Sequence, residues 1–193
     1  MRGVVVDERL VDRLLQVIEE NVVPLTAEGV RKGNKVFGAA VLLKADLSLV
    51  IAETNNETAN PLFHGEVHCI TKLYERGKVP PPKDCIFLST HEPCSLCLSA
   101  IAWAGYDNFF CLFSHEDSRD AFNIPHDLRI LKEVFGLDAG GYRKDNPFFT
   151  GHDIAKLPKS AAAVAQIERL KGKYAELSNV YQEHKHETNI PLN

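Results

Sequence analysis

From residue 7 to about residue 23 the apolar positions recur at helical spacing. Leu10, Leu14, Val17 and Ile18 share one face, and Val11 and Leu15 widen the stripe. Pro24 marks the expected kink or end of this helix, because proline lacks the N–H that a continuing turn requires. The run Lys35-Val-Phe-Gly-Ala-Ala-Val-Leu-Leu-Lys44 is apolar without alternation, the pattern of a strand covered on both faces. A turn containing Asp46 leads to a second strand at residues 49–52, and the two are expected to pair as a hairpin. Residues 54–61 are polar and loop-like. Residues 64–74 read as a helix that Gly77 and Pro80-Pro81-Pro82 bring to an end. A strand at 85–88, a helix at 94–104 and a strand at 109–113 follow.

Strands alternating with helices from Lys35 onward predict an α/β domain with a partly parallel sheet. Beyond Ser114 the pattern weakens: residues 127–135 read as a helix, and 136–151 as glycine-rich and irregular. Residues 160–181 form a long helical pattern, with Val164, Ile167, Leu170, Tyr174, Leu177 and Tyr181 at three- and four-residue spacing. So narrow a stripe is expected to pack on the parent domain, with a subunit contact as the alternative. The chain thus divides into a domain over 1–158 and a C-terminal helix and tail over 159–193. The polar tail after Gln182 is expected to fray.

Composition narrows the classes. At 193 residues, 45% hydrophobic and 25% charged, the chain suits one compact domain with an extension. A net charge of −4 argues against a large basic surface for nucleic acid. No apolar run approaches the roughly 18 residues that span a bilayer. The first residues, Arg2, Asp7, Glu8 and Arg9 among valines, do not form a signal-peptide pattern. Five cysteines are an odd count and too few for a disulfide scaffold, so a reducing cytoplasm is expected. There, closely spaced cysteines are candidate metal ligands.

Two stretches carry that chemistry: His64-Gly65-Glu66 opening a helix, and Pro93-Cys94-Ser95-Leu96-Cys97 between a strand and a helix. A Cys-x-x-Cys pair on a first helical turn puts both sulfurs within reach of one ion, and the helix N-terminus favours thiolate. Two sulfurs and one imidazole are a zinc donor set, and three protein ligands leave a fourth corner for water, as in catalytic rather than structural sites. Glu66 is placed to take a proton from that water and pass it to a substrate nitrogen. A redox Cys-x-x-Cys pair would leave His64 and Glu66 without a role. The helical protease pattern His-Glu-x-x-His is not met either, since the glutamate of His64-Gly-Glu-Val-His68 comes one place late. His68 is read as a packed or supporting histidine.

His64-Gly-Glu66 with Pro93-Cys-x-x-Cys97 resembles the zinc-dependent cytidine deaminase superfamily. Phe37-Gly38-Ala39-Ala40-Val41, Thr54-Asn55-Asn56 and Ser89-Thr-His-Glu-Pro-Cys-Ser-Leu-Cys97 resemble that family's first strand, substrate-binding segment and zinc helix. Ala102-Trp103-Ala104-Gly105 and His115-Glu116-Asp117-Ser118 look most like its guanine, cytosine and tRNA adenosine deaminase branch. The resemblance implies a three-layer α/β/α sandwich with a five-stranded mixed sheet and a homodimer. It also implies hydrolytic removal of an amino group from a purine or pyrimidine base or nucleoside. Zinc is then held by His64, Cys94 and Cys97, and Glu66 is the catalytic acid–base. Asn55 is expected to grip the substrate ring, since an amide both donates and accepts, with Phe37 and Phe63 as stacking candidates. The segment 120–127 stands where guanine deaminases carry an acid-containing loop but departs from their spacing, so Asp117, Asp120, Asp127 or none of them is the further substrate contact, Asp117 being preferred. The alternatives are an RNA-editing deaminase, for which the charge-balanced C-terminal helix offers little footing, and a noncatalytic zinc-binding subunit, which gives Glu66 no purpose.

Overall fold

The structure is a computed structural model and describes residues 4–138 and 141–192. Positions 1–3, which include Arg2 of the expected non-signal start, and residues 139–140 of the glycine-rich stretch lie outside the described residues.

The Asp7 carboxylate accepts the Leu10 N–H at 2.9 Å and so caps α1 (Glu8–Val17), whose apolar stripe is buried as its spacing predicts. The helix does not end at Pro24. A π-helical turn, Ile18–Val22, carries the chain straight into α2 (Val23–Arg31), and Pro24 falls in the first turn of that second helix. There the missing N–H leaves no bond broken, so proline is accommodated rather than disruptive.

Next come β1 (Gly38–Leu43) and β2 (Leu49–Thr54), an antiparallel hairpin with a register shift between Val41 and Leu42. They are followed by α3 (Gly65–Glu75), β3 (Cys85–His91), α4 (Ser95–Trp103) and β4 (Asn108–Phe113). Two short helices, α5 (His115–Asp120) and α6 (His126–Phe135), precede β5 (Thr150–Asp153) and the long α7 (Ala161–His184). Strand order is β2-β1-β3-β4-β5; β1 is antiparallel to both neighbours, and β3, β4 and β5 run parallel. This is the expected five-stranded mixed sheet.

Strand alternation divides the core into two layers. Ala40, Leu42, Ile86, Leu88, Phe110 and Leu112 face α1, α2 and α7. Ala39, Val41, Phe87, Phe109 and Cys111 face α3 and α4, meeting Cys69, Leu73, Leu98 and Ile101. Tyr174 and Leu170 of α7 are fully buried in the first layer, so that helix shares the parent core.

Two expectations fail at the C-terminal end. The stretch read as irregular ends inside β5, which joins by backbone pairing rather than by an apolar pattern, and Gly151 lies against the Phe109 ring where any Cβ would collide. The tail does not simply fray: a 3-10 turn at Lys185–Glu187 brings Thr188 against Gly33 and buries Ile190. Among the described residues no helix is long and apolar enough to cross a membrane.

Candidate metal centre and active site

The N-termini of α3 and α4 converge beside the carboxyl end of β3. His64 is the N-cap residue of α3 and Cys94 that of α4, both in extended backbone conformation, so their side chains project ahead of the helices into a shared space. Gly65 is what lets α3 approach: a Cβ there would stand 2.7 Å from the Gly38 Cα of β1. Cys97, one turn into α4, completes the set.

His64 Nδ1 lies 3.4 Å from Cys94 Sγ and 3.8 Å from Cys97 Sγ, and all three donor atoms fall within 4.8 Å of one another. A tetrahedral zinc, with Zn–N of about 2.1 Å and Zn–S of about 2.3 Å, sets nitrogen and sulfur roughly 3.6 Å apart. The donors therefore fit that ion in type, number and spacing. Their electrostatics agree. A hydrogen bond from Cys97, supported by His64, holds the Cys94 thiol well below its ordinary range despite burial. Burial, with the Cys94 charge beside it, pushes Cys97 well up. Burial opposes protonation of His64, but Cys94 first, then the charges of Glu57 and Glu66, carry it up to about 9. The three groups thus share their protons as an ionised Cys94, a protonated His64 and a neutral Cys97, and a dication between them would let both thiols ionise and free the imidazole lone pair.

Glu66 is buried beside this set, and burial, reinforced by the Cys94 charge, raises its carboxyl. Its Oε1 is 2.6 Å from Ser89 Oγ, which is also 2.5 Å from the His91 carbonyl. The single Ser89 hydroxyl proton can serve either acceptor. With Glu66 ionised it points to the carboxylate; with Glu66 protonated it points to His91 O and leaves Ser89 Oγ free to accept from Glu66. The carboxyl is thus hydrogen-bonded in both states that a proton carrier visits.

Phe37, His91, Glu92 and Asp127 line the same cavity. Phe37 meets the His91 ring edge-on at 4.7 Å, as a wall. Asp127, from the first turn of α6, is the acid of the 117–127 segment that reaches the site; burial, then the Cys94 charge, pushes it up to about 8. Burial works to raise Glu92, but His115, Lys144 and Tyr142 together bring it below the usual range. Glu92 takes the Tyr142 hydroxyl, Lys144 Nζ at 2.6 Å and the His115 N–H at 3.2 Å, while His115 Nε2 donates to Pro93 O at 3.1 Å. Those bonds tie the loop before β5 to the turn that presents Cys94.

Asp117, the preferred acid, is exposed and closes a capping box with Ser114 at the start of α5, accepting Ser114 N–H at 2.8 Å. Phe63 stacks on His68 at 5.3 Å. His68 donates to Thr54 O at 2.8 Å, in keeping with a supporting role. Asn55 is buried behind His64: its Oδ1 accepts the Gly65 N–H at 2.5 Å and its Nδ2 donates to Glu57 at 2.8 Å. Sequence reasoning assigned no role to Ser89, His91 or Glu57. The legible signal for Glu57 was Lys35, a charge opening an otherwise apolar run.

The family model for the cytidine and deoxycytidylate deaminase zinc-binding region matches residues 17–113. Guanine deaminase of Bacillus subtilis (strain 168) is 33% identical over 129 residues, which span 66% of this chain and 79% of that protein. The solved structure of a guanine deaminase from Bacillus subtilis superposes with a TM-score of 0.52 at 24% identity, covering 81% of this chain and 93% of the other. One from Nitrosomonas europaea gives 0.52 at 19% identity, covering 88% and 87%. At those identities the structural likeness speaks to the fold.

Proposed function

Because the chain belongs to the cytidine and deoxycytidylate deaminase zinc-binding family and is a zinc-dependent aminohydrolase of nucleobases, we propose that its substrate is a free aminopurine, guanine first among them. The observation that carries this choice is Asp127, a second carboxyl in the cavity beside Glu66. Burial and the Cys94 charge raise Asp127; zinc would offset the second of these, and in its ionised form the carboxylate accepts hydrogen bonds, so it selects a ring that offers N–H groups away from the amino-bearing carbon. Guanine has N9–H on its far side, which a nucleoside lacks. Cytosine turns a carbonyl oxygen toward such an acid, and two acceptors repel. The relationship to the Bacillus subtilis guanine deaminase supports the same choice.

Zinc, when bound by His64, Cys94 and Cys97, supplies water activated for attack on the amino-bearing carbon. Glu66 takes a proton and carries it to the ring nitrogen next to that carbon, then conveys the next one to the departing amine. Ser89 holds the Glu66 carboxyl through both transfers. Phe37 and His91 form an apolar wall that excludes bulk water. Ammonia leaves and a ring carbonyl remains; from guanine the product is xanthine.

The test is ammonia release by zinc-loaded protein from guanine, cytosine, adenine, guanosine and cytidine. Guanine is expected to have the highest kcat/KM, and Asp127→Asn to lower it by about 10- to 100-fold, the worth of one charged hydrogen bond. Cytosine turning over faster than guanine would overturn the assignment. We further read the chain as a homodimer, since Leu96 and the 91% exposed Trp103 lie one heptad apart on α4 as apolar surface a second copy would cover. A single-chain mass by sedimentation would refute that.

A further inference from the structure

Lys35 and Glu57 form an ion pair of 2.7 Å whose side chains are 6% and 2% exposed. Desolvating two charges costs several kcal/mol per ion, roughly what their attraction returns, so stability alone does not account for such a pair. Its surroundings do. Glu57 Oε1 takes Lys35 Nζ and faces His64 Nε2 at 3.8 Å, the ring nitrogen other than the one directed at the sulfurs. Glu57 Oε2 takes Asn55 Nδ2 at 2.8 Å and the Lys35 N–H at 3.3 Å. Asn55 in turn accepts the Gly65 N–H, the residue after His64. Three hydrogen bonds from Lys35 and Asn55 therefore fix one carboxylate with the His64 ring nitrogen 3.8 Å away, and Asn55 ties it to Gly65, the residue that follows His64.

We propose that Glu57, pinned by Lys35, is the positioning residue of the metal centre. It keeps the hydrogen of His64 on Nε2, leaves the Nδ1 lone pair directed at the ion, and raises the basicity of that ligand. A carboxylate behind a ligating histidine does this because it accepts from one ring nitrogen and so dictates the state of the other. Asn55 belongs to the same device: its oxygen and one of its two Nδ2 hydrogens are already committed, which leaves one N–H for a substrate.

The inference rests on the zinc reading, and metal content of the wild-type protein tests that reading separately: a chain that takes up no zinc defeats the metal centre itself. For Glu57, zinc affinity is measured by chelator competition on the wild type, on Glu57→Gln and on the double variant Lys35→Met/Glu57→Gln. The double variant removes the charge pair as a unit and keeps a fold in which no charge is stranded. Both variants are expected to bind zinc about 10- to 100-fold more weakly, with the apo proteins of wild type and double variant unfolding at similar temperatures. Unchanged affinity in the double variant overturns the proposal. A second measurement needs no variant: histidine 15N NMR of the zinc-loaded wild type is expected to show His64 protonated at Nε2 and metal-bound at Nδ1. Coordination through Nε2 would overturn the proposal even if neither variant folded.

Discussion

Glu66 and the three donors divide the chemistry so that single substitutions separate their parts. Glu66→Gln keeps the shape of the side chain and its contact with Ser89 but cannot carry a proton. It is expected to retain zinc at one ion per chain and to lose about 10²- to 10⁴-fold in kcat; wild-type turnover with full metal would remove the shuttle role. Cys97→Ser acts on the other half. It replaces a soft, buried donor, so bound zinc by elemental analysis should fall well below one per chain, and full occupancy would take Cys97 off the ligand set. At this scale the donors and Glu66 were legible because their spacing, His-x-Glu and Cys-x-x-Cys, is local and chemically narrow. Glu57 was not, because its partners Lys35 and His64 meet it only after β1, β2 and α3 have packed.

At the level of elements, the sequence placed the strands and helices within a few residues wherever an apolar period announced them. It missed α5 and β5, which have none. The first is held by its cap: Ser114 and Asp117 exchange hydrogen bonds across the opening turn. Asp117→Ala should therefore cost about 0.5–2 kcal/mol of stability by chemical denaturation and leave kcat/KM unchanged. A collapse of activity in a folded variant would return Asp117 to the substrate site. Pro24 shows the converse error. A local rule predicted a helix end, and the π turn over Ile18–Val22 resolved the conflict by placing proline in a first turn.

Over the whole molecule, the site and the core are linked through His91. Its ring is packed among Phe37 and Phe113 (4.7 Å each), Phe122 (5.0 Å) and Tyr174 of α7 (5.3 Å). Burial brings its pKa down to about 3, from an ordinary 6.5. The folded chain thus keeps His91 neutral where the unfolded chain protonates it. Stability conferred above about pH 6.5 is lost as pH falls toward 3, by up to about 1.4 kcal/mol per unit. Urea unfolding across that range should show a steeper loss for wild type than for His91→Phe; parallel curves would mean that the ring is charged or hydrated. Zinc acts on the same equilibrium. At a free concentration a thousandfold above Kd it adds about 4 kcal/mol, so chelation should lower Tm by roughly 10 °C in a chain of this size. An unchanged Tm would show that the donors do not hold the ion in the folded state.

By itself the sequence determined the α/β alternation and the doubly covered strands and pointed to the candidate zinc donors and to Glu66 beside them, since each rests on periodicity or on a short spacing along the chain. Only the tertiary structure decided which acid of the 117–127 segment reaches the cavity, what Asn55 holds, and that β5 closes the sheet. Those outcomes depend on groups far apart in the chain being desolvated together, and the strength of such contacts is set by the neighbours that exclude water from them.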